Sequence, residues 1–440
     1  ALVDVSLTPE ARRAASTVGR ALIGSVSQRA MSVFLESDSP SVATCVQPKL
    51  VADLLLEALS GFVRDSGGQV TYAIRIADNG EATTPTMGTV RVEGLTLGFM
   101  KEGILFACLP EQRIVVVAEP YGFPGTEQTT ITVLANRDPG GVQALWEQYA
   151  REHNYLRGRS FFADGELIER KRRYSWDDIL LPESVRGTLR THVEDFLRHR
   201  EALRTLGVKA RRGVILSGPP GTGKTLVGKI LSDQLDVSFL WVSPRHIRNA
   251  GSFEGILSVA RFVAPTVVFL EDLDLFAEER DRGGGACLGE LMNQLDGAVD
   301  NEDIVTIATT NRLDVIEKAL RNRPGRFDRI VEMDVMDAVC RRNMLQKLLA
   351  HGAVSDLDIA YLVESTEEYT GAQLEELVNT MYILAVQSDS LRVDTSSAAQ
   401  VAAGPAGTRQ PRIYLDRGTM TKAIDDVKIQ RSGRLGFHVA

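Results

Sequence analysis

The run GVILSGPPGTGKT, from Gly213 to Thr225, decides how the rest of the chain is read. Its first five residues suit a buried strand, the next eight match G-x-x-x-x-G-K-[ST], and a helix-compatible run follows Thr225. Glycines at 218, 221 and 223 let the backbone curl so that successive N–H groups point at phosphate oxygens, and the start of the helix adds its positive dipole end. Lys224 places a cation on the outer phosphates of a nucleotide and Thr225 offers a hydroxyl to Mg²⁺. Gly218, Pro219, Pro220, Gly221, Thr222, Gly223, Lys224, Thr225 and Leu226 are therefore the candidate nucleotide-binding residues.

A phosphate cradle binds; hydrolysis also needs a metal partner, a group that activates water and compensation of developing charge. The run VVFLEDLD, Val267 to Asp274, reads as a buried strand ending in acids, which sets carboxylates at the carboxyl edge of a parallel sheet. Glu271 is expected to hold the Mg²⁺ hydration shell together with Thr225, and Asp272, on the same metal side, to polarise the attacking water, with Asp274 in reserve. IVTIATTN ends at Asn311, whose amide can orient water between the terminal phosphate and the acids. ALRNRPGRFDR then supplies Arg321, Arg323, Arg326 and Arg329 around a Pro-Gly turn. Four guanidinium groups cannot all reach the cradle of their own chain, and a planar fork suits a neighbour's phosphates.

Outward from the cradle, apolar strands near 213–217, 238–242, 266–271, 304–309 and 329–333 alternate with amphipathic helices. That is the pattern of an α/β domain with a parallel sheet, placed at 175–336. A helical lid is expected over 337–440, with a Ser, Ala, Gly and Pro-rich flexible insertion at 390–411. Before the ATP-site domain, 1–67 reads as helical, from Thr8-Pro9-Glu10 and again from Pro48. Residues 68–165 read as a β-rich module with strands at Val70–Ile76, Val90–Phe99, Ile104–Cys108, Ile114–Ala118 and Ile131–Leu134, a bulge at Gly94 and a helix from Val142 to Tyr155. The fold class is thus α/β, a P-loop parallel-sheet core with a C-terminal helical lid, preceded by an α+β module. Arg170 to Arg173 read as a solvated linker.

With 440 residues, about three domains are expected at ~150 residues each, and 44% hydrophobic against 25% charged residues implies that the bulk folds. A net charge of −8 argues against a general nucleic-acid binder. Cys45, Cys108, Cys287 and Cys340 form no CxxC pair, which favours inert thiols in a reducing compartment. No apolar run approaches the ~18 residues of a membrane span, so a cytoplasmic protein with no membrane partner is expected.

Together these motifs resemble an AAA+ ATPase of the AAA family proper. The likeness rests on SWDDI near Trp176, GPPGTGKT, FLEDLD, LMNQLDG at Leu291 to Gly297, IATTN, RPGRFDR and YTGAQLEELVN at Tyr369 to Asn379. It implies ATP and Mg²⁺ as cofactors and a homo-oligomeric ring, usually a hexamer, with ATP between subunits. It further implies that Arg323 and Arg326 are fingers acting on the adjacent protomer's nucleotide and that Asn311 is the first sensor. Asp178, Ile179, His351, Gly371 and Ala372 match the segments that wrap adenine and ribose.

Two features depart from the family pattern. The acidic pair runs Glu271 then Asp272 instead of Asp then Glu, an order shared with the mitochondrial AAA translocase that moves a folded Rieske protein, which the run ILSVA at Ile256–Ala260 also resembles. Where substrate-threading relatives place an aromatic, an aliphatic residue and Gly, this chain has Arg248, Asn249, Ala250 and Gly251, with Phe253 the nearest aromatic. The expected function is an ATP-hydrolysing ring motor, a chaperone-like machine that remodels, assembles or disassembles a protein complex. Its N-terminal module recruits the client or acts as a collar. A scaffolding ring with weak hydrolysis, or a nucleic-acid translocase, are the alternatives; proteolysis within the chain is not expected, since none of its six histidines begins an HExxH.

Overall fold

The computed structural model describes residues 26–431 apart from 38, 77–80, 123–126, 209–210, 250, 276–284, 297–300, 321–326, 351, 354–355 and 388–412. Two sheets organise them. The first is antiparallel, built from β1 (Ser41–Pro48), β2 (Gln69–Ile76), β3 (Ala82–Thr83), β4 (Thr86–Val92), β5 (Leu95–Cys108), β6 (Arg113–Tyr121) and β7 (Gln128–Ala135) in the order β1-β7-β6-β5-β2-β3, with β4 paired to β5. Helix α1 (Val26–Leu35) covers one face, where Met31, Leu35, Ile74, Phe106 and Val115 pack together. The other face is covered by α2 (Lys49–Asp65) and α3 (Pro139–Glu152), which bury Leu54, Leu55, Leu59, Phe62, Val142 and Trp146. Burial of such a stripe at helical spacing, about 25 cal/mol per Å² of apolar surface, holds these helices in place.

Several sequence expectations change in this module. The strand expected over Val90–Phe99 is two strands meeting in a hairpin, because Glu93 and Gly94 both take left-handed φ angles of 51° and 79°. That is the two-residue turn whose twist matches the flanking strands, so Gly94 is a turn residue and not a bulge. The register shifts lie instead between Val70 and Tyr72 and between Thr86 and Met87. The chain then runs through Gly103 without a break, merging Ile104–Cys108 into β5. β1, read as part of a helical segment ending at 67, pairs along its whole length with β7, so it and α2 pack as one unit with the strands after 68. The helix start at Thr8 lies outside the described residues.

The second sheet is wholly parallel, in the order β13-β9-β12-β11-β10-β8. Its strands are β8 (Ser160–Phe162), β9 (Arg211–Ser217), β10 (Ser238–Val242), β11 (Thr266–Leu270), β12 (Ile304–Thr310) and β13 (Arg329–Glu332). β8 falls inside the span read as the N-terminal module, yet it pairs with β10 as an edge strand. Crossover helices α4 (Lys224–Gln234), α5 (Ser252–Phe262), α6 (Gly285–Asp296) and α7 (Leu313–Leu320) connect the strands. Alternate residues of each strand enter opposite cores: Val214, Leu216, Phe239, Trp241, Val267, Phe269, Val305 and Ile307 meet Val227 and Leu231 of α4. Ile215, Leu240, Val242, Val268, Leu270, Ile304 and Ala308 meet α5 and, beyond it, α2 of the first module. Burial on both faces is why these strands read as unbroken apolar runs.

The lid is α8 (Ala338–Leu348), α9 (Asp356–Ser365), α10 (Gly371–Gln387) and α11 (Arg417–Arg431), closed around Leu345, Leu362, Leu374, Leu377, Met381 and Ile424, with a short parallel pair Gly352–Ala353 and Ile413–Tyr414. No helix among the described residues is long and apolar enough to cross a membrane.

Candidate functional site

The carboxyl edge of β9 opens into the glycine loop. Gly218 has φ +155°, and a Cβ there would collide with the Met333 carbonyl, so the backbone of the loop passes hard against the end of β13. Gly223, at φ +96°, caps α4 in the left-handed region, which lets the helix begin with its free N–H groups facing the loop. Lys224 is buried, and its ammonium donates to the carbonyls of Gly218 and Pro219 at 2.6 and 2.9 Å. Burial pushes its pKa down, opposed by the charges of Asp272 and Asp274. The cation therefore sits within the loop, facing the acidic edge.

That edge is supplied by β11 and β12. Glu271 accepts the Thr225 hydroxyl on Oε1 at 3.1 Å and the Trp241 indole N–H on Oε2 at 2.9 Å. Asp272 takes a left-handed φ of 51°, unusual for a residue with a side chain, and its N–H is anchored on the Thr309 hydroxyl at 2.9 Å. Leu273 N–H bonds the Thr309 carbonyl at 2.8 Å, so the turn after β11 is tied to β12 at two points. Asp274, the reserve acid of the sequence reading, has another place. It is 5% exposed, and its Oδ1 accepts the Thr310 hydroxyl at 2.8 Å and the Asn311 N–H at 3.1 Å. Asp274 thereby fixes the end of β12 from which Asn311 emerges, bracing the site.

Two segments close on the loop from the sides. Ile179 lies against Gly223, where an added Cβ would meet its Cδ1 at 2.7 Å, and Asp178 is fixed by the Ser175 N–H and by an ion pair with Arg172. These bonds hold the Asp178 carboxyl below the usual range, the backbone N–H of Ser175 first and Arg172 after it. On the opposite side Ala372 N–H donates to the Gly221 carbonyl at 3.2 Å, placing the start of α10, with Gly371, on the loop. A cavity of about 400 Å³ here is lined by Pro220, Gly221, Thr370, Ala372, Gln373, Glu376 and Val427.

Of the sequence-predicted residues, Asp178, Ile179, the loop from Gly218 to Leu226, Glu271, Asp272, Asn311, Gly371 and Ala372 thus surround one edge of the parallel sheet. Arg323, Arg326 and His351 lie outside the described residues. Arg329 points elsewhere, its Nε donating to His192 Nε2 at 3.1 Å. Arg170, read as solvated, is an anchor instead, paired with Asp233 at 2.8 Å with only 16% of its side chain exposed. Trp241, Thr309 and Thr370 were missed. Trp241 left a signal, because a tryptophan inside an apolar strand must place its N–H on some partner; two threonines among many left none. The oxygen donors of Thr225 and Glu271 suit a hard divalent cation, and the Lys224 ammonium beside the free N–H groups at the start of α4 suits phosphate oxygens, so the residues present fit Mg²⁺-nucleotide.

Residues 214–335 match the family described as ATPase family associated with various cellular activities (AAA). The chain is similar to human ATPase family gene 2 protein homolog A, at 34% identity over 229 residues, which is 49% of this chain and 25% of that protein. It is also similar to the ATP-dependent zinc metalloprotease FtsH of Halothermothrix orenii, at 33% identity over 258 residues, 54% of this chain and 41% of the relative. The chain therefore spans between a quarter and about two-fifths of the length of these relatives.

Proposed function

We propose that the chain is an ATP-driven ring motor that remodels, assembles or disassembles a protein complex; the match of residues 214–335 to the AAA ATPase family, whose domain implies ATP hydrolysis, supports this reading. The observation that carries the proposal is the convergence of Lys224, Thr225, Glu271, Asp272 and Asn311 at the carboxyl ends of three adjacent strands, with Thr225 and Glu271 already 3.1 Å apart. In this reading Lys224 and the loop N–H groups hold the phosphates, and Thr225 and Glu271 hold the metal's hydration shell. Mg²⁺, when bound, supplies positive charge that neutralises the phosphate oxygens. Asp272 accepts the proton of the attacking water, which Asn311 orients. Arg323 or Arg326 of a neighbouring subunit completes the charge compensation, and Asp178, Ile179, His351, Gly371 and Ala372 enclose the base and sugar.

The module before the ATPase domain recruits the client. Phe253 is wholly buried, so it serves the core and not a substrate grip, and the proposal includes no aromatic threading paddle. The Glu271-Asp272 order and ILSVA support a place near the Rieske-protein translocase subgroup, whose client is moved folded. The same order motivates one second reading, a scaffolding ring with weak hydrolysis, since Asp272 is one methylene shorter than the family's usual base. Steady-state phosphate release from Mg²⁺-ATP by the parent and by Asp272→Asn separates the two. The motor reading expects a loss of at least ~10²-fold on removing the base; equal rates contradict it.

A further inference from the structure

Among the described residues, Trp241 is the one outside the nucleotide motifs whose side chain bonds the Glu271 carboxylate. It faces its register partner Phe269 on β11 at a ring separation of 4.6 Å and lies 5.9 Å from Phe239. From the other side the Arg170 guanidinium sits 5.6 Å over the indole, itself anchored on Asp233 of α4. Phe269 fills the space that a side chain at Gly228 of α4 would need, an added Cβ meeting its ring at 2.5 Å. The indole is thus clamped between the helix that follows the phosphate loop and the strand that carries the acids, and it is 5% exposed.

Its N–H leaves this clamp in one direction, to Glu271 Oε2 at 2.9 Å, while Thr225 occupies Oε1 at 3.1 Å. A carboxylate has about four lone-pair sites, so both donors leave acceptor capacity for metal-bound water. A glutamate has one more rotatable bond than the family's usual aspartate at this position, and without a second anchor its head group can turn away from Thr225. We propose that the Trp241 N–H fixes the Glu271 carboxylate in the orientation needed to bind Mg²⁺ beside Thr225, making Trp241 a positioning residue matched to the Glu-first acidic pair. This rests on the nucleotide reading above.

The test is a double-mutant cycle on the full chain, read by Mg²⁺ titration of the binding of a fluorescent N-methylanthraniloyl-ATP. Trp241→Phe keeps the ring and removes the N–H; the Mg²⁺ concentration for half-maximal tight binding should rise ~10- to 100-fold, the usual effect of losing an outer-shell partner. Binding in EDTA should change less than about twofold. In a Glu271→Asp background the shorter carboxylate falls out of reach of the indole, so adding Trp241→Phe should shift the Mg²⁺ requirement by less than about twofold. Equal shifts in both backgrounds, or none in either, overturn the assignment. If Trp241→Phe does not fold, the ¹⁵N-indole spectrum of the parent decides. One indole N–H resonance should move when Mg²⁺ is added to ATP-saturated protein, and that resonance should be displaced by Glu271→Asp and no longer respond to Mg²⁺ there; no resonance that responds in the parent, or one that responds equally in Glu271→Asp, overturns it. A parent with no Mg²⁺-dependent nucleotide binding at all instead contradicts the nucleotide reading, and this assignment with it.

Discussion

Lys224 carries the only ammonium buried in the glycine loop among the described residues, and its two carbonyl partners are neutral. Lys224→Ala is therefore expected to abolish tight ATP binding, measured by nucleotide titration, with the thermal midpoint of the apoprotein little changed; retained affinity contradicts the cradle. Glu57 gives a second residue-scale test, away from the site. It lies on α2, burial alone raises its pKa, and Oε2 has no hydrogen-bond partner. A carboxyl raised in the folded state keeps its proton at pH values where the unfolded chain has released it. Its destabilising cost is absent below the unfolded pKa and complete above the raised folded one. Glu57→Gln should thus raise the melting temperature at pH 7.5 and lose that advantage as the pH falls through the ordinary carboxylate range to about 4. A gain that does not vary with pH contradicts the cause assigned. At this scale the sequence was legible where chemistry demands a residue type at a fixed spacing, as in Gly218 to Thr225 and Glu271-Asp272. It was not legible for Asp274 or Arg170, since whether a charge is solvated or braced depends on what the fold brings beside it.

Among the elements, α4 joins the phosphate loop to the core, and Gly228 lets it lie directly on Phe269. Gly228→Ala adds up to ~1 kcal/mol of helix propensity but forces a methyl into the ring, an overpacking cost of ~1–3 kcal/mol. The expected result is a net fall in thermal stability; a rise contradicts the packing. All five strands expected from apolar runs after residue 210 are present within a residue or two, because a parallel strand buried on both faces needs an unbroken apolar run and little else competes with that signal. β1 was missed because its faces are unequal: Val42 and Val46 are 57% and 49% exposed, and its register comes from β7, 80 and more residues away. The Glu93-Gly94 hairpin was missed because a left-handed glutamate has no composition signature.

For the whole molecule, the junction between the antiparallel module and the parallel-sheet domain runs through α2 and α5, whose apolar residues share one core. Phe253 sits there with no exposed surface. Phe253→Ala should cost ~3–5 kcal/mol of stability, the penalty of an emptied aromatic site, measured by denaturant unfolding. An undiminished midpoint with a selective defect in client handling would instead make it a gripping residue. The parallel-sheet core with its glycine loop was readable from motifs, because each motif sits at the end of a buried strand, whereas any contact between subunits would depend on surfaces that no periodicity encodes.

In the proposed motor, ATP held by one subunit's loop is cleaved with an arginine from its neighbour. Phosphate release from mixtures of Lys224→Ala and Arg323→Ala chains tests it most directly, with Arg326→Ala treated in the same way. Each variant alone should be nearly inactive, the arginine change slowing hydrolysis by up to ~10³-fold. Mixing should restore activity, because the Lys224→Ala subunit lends its arginine to ATP bound by the other. If no ratio of the two restores phosphate release for either arginine, the claim is contradicted.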